Sequence, residues 1–190
     1  MTIRIKVNKF ISIIYWLFFS MNLKGQVEFI PDYSLNSIIK IEDTTGISDF
    51  VPNGDVIQQY VIDKGERVYI LFTNFDKTEY AKAIFHEGTH FTFYEVEFGK
   101  MNEILYNELS VKLPIEHFIT ETGVSLNMTK NKVFDIKGNG SISLNDNSLF
   151  FCYNGNNEFE YRSIDDCEYI YIVYFTDNIV SKIHFGFQPL

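Results

Sequence analysis

The chain has 190 residues, with 16 Lys+Arg against 25 Asp+Glu for a formal net charge of −9, and it carries nineteen Phe and twelve Tyr but only four Pro. That aromatic content argues for a packed core and against a disordered chain. The acidic balance argues against nucleic acid and anionic membrane faces as partners, because both are bound by basic surfaces.

Residues 1–25 read as a secretory signal peptide. Arg4, Lys6 and Lys9 precede an apolar run from Phe10 to Leu23, broken only by Ser12, Ser20 and Asn22, and small Gly25 stands before Gln26. The run is shorter than the roughly 20 apolar residues that cross a bilayer, and no later segment is long enough either. No membrane span is therefore expected after cleavage. No cysteine lies near the end of the run, so a lipid anchor is not expected. Lys24 departs from an ideal cleavage site and keeps an uncleaved anchor as the other reading. Removing the leader takes away Arg4, Lys6, Lys9 and Lys24 and no carboxylate, which leaves 12 Lys+Arg against 25 Asp+Glu and a net charge of −13. A chain of this size makes one domain, or two small ones sharing a core.

Beyond the leader the chain reads as α+β, predominantly antiparallel β. Ser37–Ile41 is the first expected strand, and Thr44 to Gly54 is turn-rich. Val56–Ile62 and Arg67–Thr73 are β-branched and aromatic runs joined by Asp63-Lys64-Gly65-Glu66, a hairpin pattern. Asn74-Phe75-Asp76-Lys77 makes the next turn. Thr78–Phe85 suits helix by composition and strand by alternation. His90–Phe98 favours strand. Met101–Val111 has helical character, and Pro114 ends it.

A short helix is expected at about 129–137. Thr129 is an N-cap, Met128 and Val133 occupy the two positions of a hydrophobic staple, and Gly138 supplies the stop. After it, Leu149–Tyr153 and Glu158–Arg162 flank Asn154-Gly155-Asn156-Asn157, and Tyr169–Phe175 and Ile179–Phe187 flank Asp177-Asn178 as a two-residue type I′ turn. In the last run Ile179, Ile183, Phe185 and Phe187 fall on one face and Lys182 and His184 on the other, which predicts one buried and one wet face. Tyr69–Thr73 and Tyr171–Thr176 echo each other in composition. The organisation expected is a β-rich region over 26–112 and a helix-plus-antiparallel-sheet module over 113–190.

The frame Asn127, Met128, Thr129, Val133, Gly138 and Gly140 resembles the opening motif of small outer-membrane-assembly lipoproteins of the SmpA/OmlA (BamE) type, and the likeness extends over about residues 118–187. Asn127 stands where that family has Gly, Gly140 where it has Pro, and the lipid-bearing Cys is missing. The resemblance implies a helix-then-sheet layout and an envelope role. The β-lactamase-inhibitor proteins are similar in layout and imply an inhibitor or binding module.

His86-Glu87-Gly88-Thr89-His90 matches H-E-x-x-H, in which two histidines one helical turn apart bind zinc and the Glu acts as general base. Gly88 and the strand-forming Phe91-Thr92-Phe93-Tyr94 favour instead a hairpin turning at Glu87-Gly88. No third ligand is singled out. Cys152 and Cys167 are the one cysteine pair, and an exported chain would oxidise them to a disulfide. The alternative is two reduced, buried thiols. No phosphate loop or nucleophile elbow is present. His117 and His184 read as surface residues. The sequence thus favours an exported, non-catalytic binding or envelope-associated module. It implies no catalytic residue, cofactor or metal ligand and leaves the partner, an envelope or extracellular protein, unspecified. A small zinc-dependent hydrolase using His86, Glu87 and His90 is the alternative.

Overall fold

The computed structural model describes residues 29–43, 60–64, 68–85, 92–138, 142–145, 147–153 and 167–188. The leader, the H-E-x-x-H segment and the expected strand at 158–162 lie outside the described residues. The protein is α+β and mainly antiparallel β. Its strands in chain order are β1 (Ser34–Leu35), β2 (Ile39–Lys40), β3 (Val61–Asp63), β4 (Val68–Thr73), β5 (Glu79–Phe85), β6 (Phe93–Lys100), β7 (Val111–Lys112), β8 (Ile142–Asn145), β9 (Ser148–Tyr153), β10 (Tyr169–Thr176) and β11 (Ile179–Phe187). Two short helices, α1 (Glu103–Tyr106) and α2 (Lys130–Lys137), complete the described elements.

One nine-stranded sheet dominates, in the order β3-β4-β5-β6-β11-β10-β9-β8. It joins two antiparallel meanders through the β6–β11 pair, where Phe98 lies opposite Ile183 and Glu97 opposite His184. Both halves of the chain therefore feed one sheet and one core. Strand β7 adds to β4 in parallel at Phe72 and Thr73, while β3 takes the same edge at Val68–Ile70. The segments Tyr69–Thr73 and Tyr171–Thr176 occupy different ranks in the sheet, one next to an edge strand and one nearer the middle. Their likeness is compositional.

Alternate residues of every long strand point to one core face. Ile70 and Phe72 on β4, Ala81, Ala83 and Phe85 on β5, Val96 and Phe98 on β6, and Tyr169, Tyr171 and Val173 on β10 build it. The cover over that face is mostly irregular chain. Phe29, Leu35, Ile39 and Ile41 come from the N-terminal arm, and Leu113, Phe118, Val124 and Leu126 from the connection after β7. Helix α2 adds Val133. It is capped as its sequence predicts: the Thr129 hydroxyl accepts from Lys132 N at 3.4 Å, and Gly138 ends it at φ 81°.

Several expectations need correction. The helical character of Met101–Val111 gives only α1, because Asn107 closes it and Val111 turns into β7. The stretch Ser37–Ile41 is not one strand, since Asn36 and Ser37 take positive φ and turn the chain between β1 and β2. The run Leu149–Tyr153, expected to pair with Glu158–Arg162, lies in β9 and pairs with β8 and β10. In β11 a bulge at Ser181 shifts the alternation, so Val180 and not Ile179 shares the core face with Ile183 and Phe185. The two-residue turn Asp177-Asn178 stands as expected, with φ of 53° and 61°.

Candidate binding surface

The second face of the sheet is not simply wet. Tyr69, Leu71, Tyr80, Ile84 and Leu105 form one apolar cluster there, and Phe150, Cys167, Ile170 and Ile172 form another. Between them runs a belt of charge, because one register row reads Leu71, Lys82, Glu97, His184, Ile172, Phe150 across five adjoining strand pairs. Opposite charges directly across a pair are favourable neighbours. Glu97 Oε1 lies 3.5 Å from Lys82 Nζ and Oε2 lies 3.4 Å from Lys182 Nζ, while the Tyr80 hydroxyl donates to Oε1 at 3.0 Å.

That wiring fixes what the belt does. Burial pushes the Glu97 carboxyl up, but Lys182, Lys82 and His184 outweigh it and hold its pKa below the ordinary value. The Tyr80 phenol is driven the other way, by burial first and by Glu97 next. His184 Nε2 is held 2.5 Å from Glu95 Oε2. Further out, Glu108 accepts from the Tyr69 hydroxyl at 2.8 Å and pairs with Lys64 at 2.9 Å. The belt spends its charges on itself.

On the core side a second ion pair is fully enclosed. Lys137, in the last turn of α2, donates from Nζ to Asp32 Oδ2 at 2.6 Å and to the Ile30 carbonyl at 2.7 Å. Asp32 also accepts from Thr122 N at 2.6 Å and from its hydroxyl at 3.1 Å. The Tyr169 hydroxyl accepts from Asp32 N at 3.1 Å and donates to Asp32 O at 2.5 Å. Lys137 also lies 4.3 Å from the ring centre of Tyr171. Burial lowers the lysine pKa, and Asp32 opposes that. No sequence pattern marks this pair, and its role is to fasten the N-terminal arm over the sheet. The Tyr171 hydroxyl is buried in the same region, beside Asp32 and Thr120.

The exposed large apolar groups lie elsewhere, Ile30 and Tyr33 on the N-terminal arm, Ile119 on the connection after β7, and four more at one end of the sheet. Phe75, at the turn after β4, is 64% exposed, and Ile104, Tyr106 and Leu109, in and just after α1, are 77%, 57% and 56% exposed. The turn and the helix meet at a groove of about 470 Å³ whose walls include Lys77, Thr78, Lys100, Met101 and Tyr106. The turn is cross-linked by hydrogen bonds: the Asn74 side chain donates to Asp76 Oδ1, Thr78 Oγ1 and the Glu116 carbonyl and accepts from Glu79 N. Lys77 Nζ stands 5.4 Å from the Tyr106 ring centre and Lys112 Nζ 4.2 Å from that of Phe75. Sequence reading offered no pointer to this end, because single Ile, Leu and Tyr residues in a helical stretch read as core.

Cys152 and Cys167 are joined in a disulfide with Cα atoms 5.7 Å apart. His117 is largely exposed, with Nδ1 2.9 Å from Glu79 Oε1, while His184 is buried. His86, Glu87 and His90 lie outside the described residues, but their flanks, Phe85 and Phe93, are opposite one another in the β5–β6 pair. Among the described residues no group of three or more His, Cys, Asp or Glu is placed to hold a metal ion, and no helix is long and apolar enough to cross a membrane. In comparisons with protein-family models, curated proteins and solved structures, none matches the chain.

Proposed function

We propose that the protein is an exported, non-catalytic binding module of the cell envelope or the extracellular space, and that its partner meets the end of the sheet built by Phe75, Ile104, Tyr106 and Leu109. One observation carries this reading: four large apolar side chains stand open at that end while the charged groups of the sheet are paired with each other. Contiguous exposed apolar surface marks interaction sites in soluble proteins. Covering one such side chain on association is worth about 1.5–3 kcal/mol. Export is supported by the basic and apolar order of residues 1–25 and by the Cys152–Cys167 pair, which persists where thiols are oxidised. The short capped helix on an antiparallel sheet supports the likeness to SmpA/OmlA-type and β-lactamase-inhibitor layouts, and with it an envelope-associated role.

The competing zinc-hydrolase reading needs His86 and His90 one helical turn apart. Phe85 and Phe93, which flank that segment, are paired in the antiparallel β5–β6 ladder. The test is to purify the exported protein and measure its intact mass and bound zinc. A chain beginning at Gln26, without stoichiometric zinc, is the expected outcome. Full-length chain in the membrane fraction would contradict cleavage before Gln26 and establish the uncleaved anchor. One zinc per chain retained through dialysis, together with a peptidase activity lost in Glu87→Gln, would establish the hydrolase.

A further inference from the structure

The described lysines fall into two groups, and Lys130, which rests on the Phe175 ring, and Lys132 on α2 belong with those at the exposed end. Lys40, Lys64, Lys82, Lys137 and Lys182 each lie within ion-pair distance of a carboxylate. Lys77 and Lys112 face aromatic rings instead, and with Lys100 they are in no ion pair among the described residues. In a chain with net charge −9, cations in no ion pair among the described residues stand here beside exposed apolar groups. Asp76, the nearest carboxylate on the turn, is engaged by Asn74 and by the backbone and hydroxyl of Thr78.

We propose that the groove between Lys77, Lys100, Met101 and Tyr106, continued by Phe75 and Lys112, docks an acidic segment of a partner protein, with an apolar side chain of the segment in the groove and its carboxylates on the three lysines. The proposal rests on the binding-module reading and adds the chemistry of the partner. Charge complementarity favours this occupant. At physiological ionic strength screening acts within about 8 Å, so a docked carboxylate feels these lysines and little of the distant acidic surface. A cation resting on a ring keeps its donors free while losing little freedom on binding, so the lysines are presented ready for a carboxylate. Glu103 on the groove wall repels a carboxylate at its own position and so restricts the register in which an acidic segment lies. A second copy of this acidic chain is a poorer occupant, since its overall charge opposes approach.

The experiment is an amide-resolved NMR titration of the mature protein with a short synthetic peptide alternating Glu and Leu, blocked at both ends, and with the same peptide carrying Gln for Glu. Shifts confined to residues near 75–78, 100–106 and 112, weakened about tenfold in the Gln peptide and again in Lys77→Glu/Lys112→Glu, are expected; tenfold corresponds to about 1.4 kcal/mol. Both substitutions are at the surface, so unchanged signals elsewhere verify the fold. Equal affinity for the Gln peptide, shifts located away from the groove, no shift at millimolar peptide, or preferential binding to phosphatidylglycerol vesicles would each overturn the proposal. If the peptide fails while a photo-crosslinking residue at position 106 still captures a discrete partner in the native compartment, the acidic segment is wrong and the binding module stands. If both fail, the underlying reading fails too.

Discussion

Lys137 Nζ lies 2.6 Å from Asp32 Oδ2, and neither side chain reaches solvent. The pair ties the end of α2 to an arm that packs Phe29 against Phe151 and Tyr171, so the fold includes a segment that begins just after the expected cleavage point. Removing one member leaves an uncompensated buried charge, which costs about 3–5 kcal/mol. Asp32→Asn or Lys137→Met should therefore shift a urea denaturation midpoint strongly downward, and the double substitution should lose less than the two singles together. Single variants as stable as the parent would show that the arm is not held by this pair.

The Cys152–Cys167 bond closes a loop across a sequence separation of 15. The chain-entropy relation assigns such a loop about 3 kcal/mol. Thiol labelling of the denatured, non-reduced protein should find no free cysteine, and Cys152→Ala/Cys167→Ala should lose stability of that order. Two labelled thiols per chain would refute the bond.

Glu79 is buried and accepts from Phe118 N at 2.8 Å while its other oxygen meets His117 Nδ1. Its hydrogen bond, and then its charge, raise the His117 pKa above the ordinary 6.5. Because the folded value is the higher one, the contribution to stability is complete below pH 6.5 and fades as pH rises through the raised value. An NMR titration of the His117 ring should place its midpoint above 6.5, and Glu79→Gln should bring it back toward that figure. An unchanged midpoint in Glu79→Gln would contradict this assignment.

Gly186 has φ +146° where β11 crosses β6, and a Cβ there would collide with the Tyr94 carbonyl oxygen and come within 2.6 Å of Glu95 Cα. Gly123 also has positive φ, but nothing lies within 4 Å of its absent Cβ. Gly186→Ala should thus lower the melting temperature more than Gly123→Ala, since it adds a backbone collision to the conformational strain that both share. Equal losses would mean that the β6–β11 pair can open without penalty.

Elements whose signal is local were legible in the sequence. Thr129, Val133 and Gly138 specify a helix by its ends, and Asp177-Asn178 specifies a tight turn by tolerating positive φ. Where long-range packing decides, the sequence was silent. Thr78–Phe85 becomes a strand because β4 and β6 flank it, although its composition also suits helix. The Ser181 bulge moves Val180 inward, which no alternation rule anticipates. Asp32 and Lys137 meet from distant parts of the chain, and a lysine in a final helical turn reads first as a partner for the helix dipole. The exposed end was missed for a similar reason. Ile104 and Leu109 fit a core helix, and only the shortness of α1 leaves them outside.

The measurement that bears most directly on the binding-module reading is in vivo photo-crosslinking of the protein, with the reactive residue placed in turn at Phe75, Ile104 and Tyr106 and, as a control, at exposed Lys132 on α2. The binding account predicts one discrete adduct common to the first three positions and absent from the fourth. Adducts of equal yield at all four positions, or none at Phe75, Ile104 and Tyr106, would contradict it.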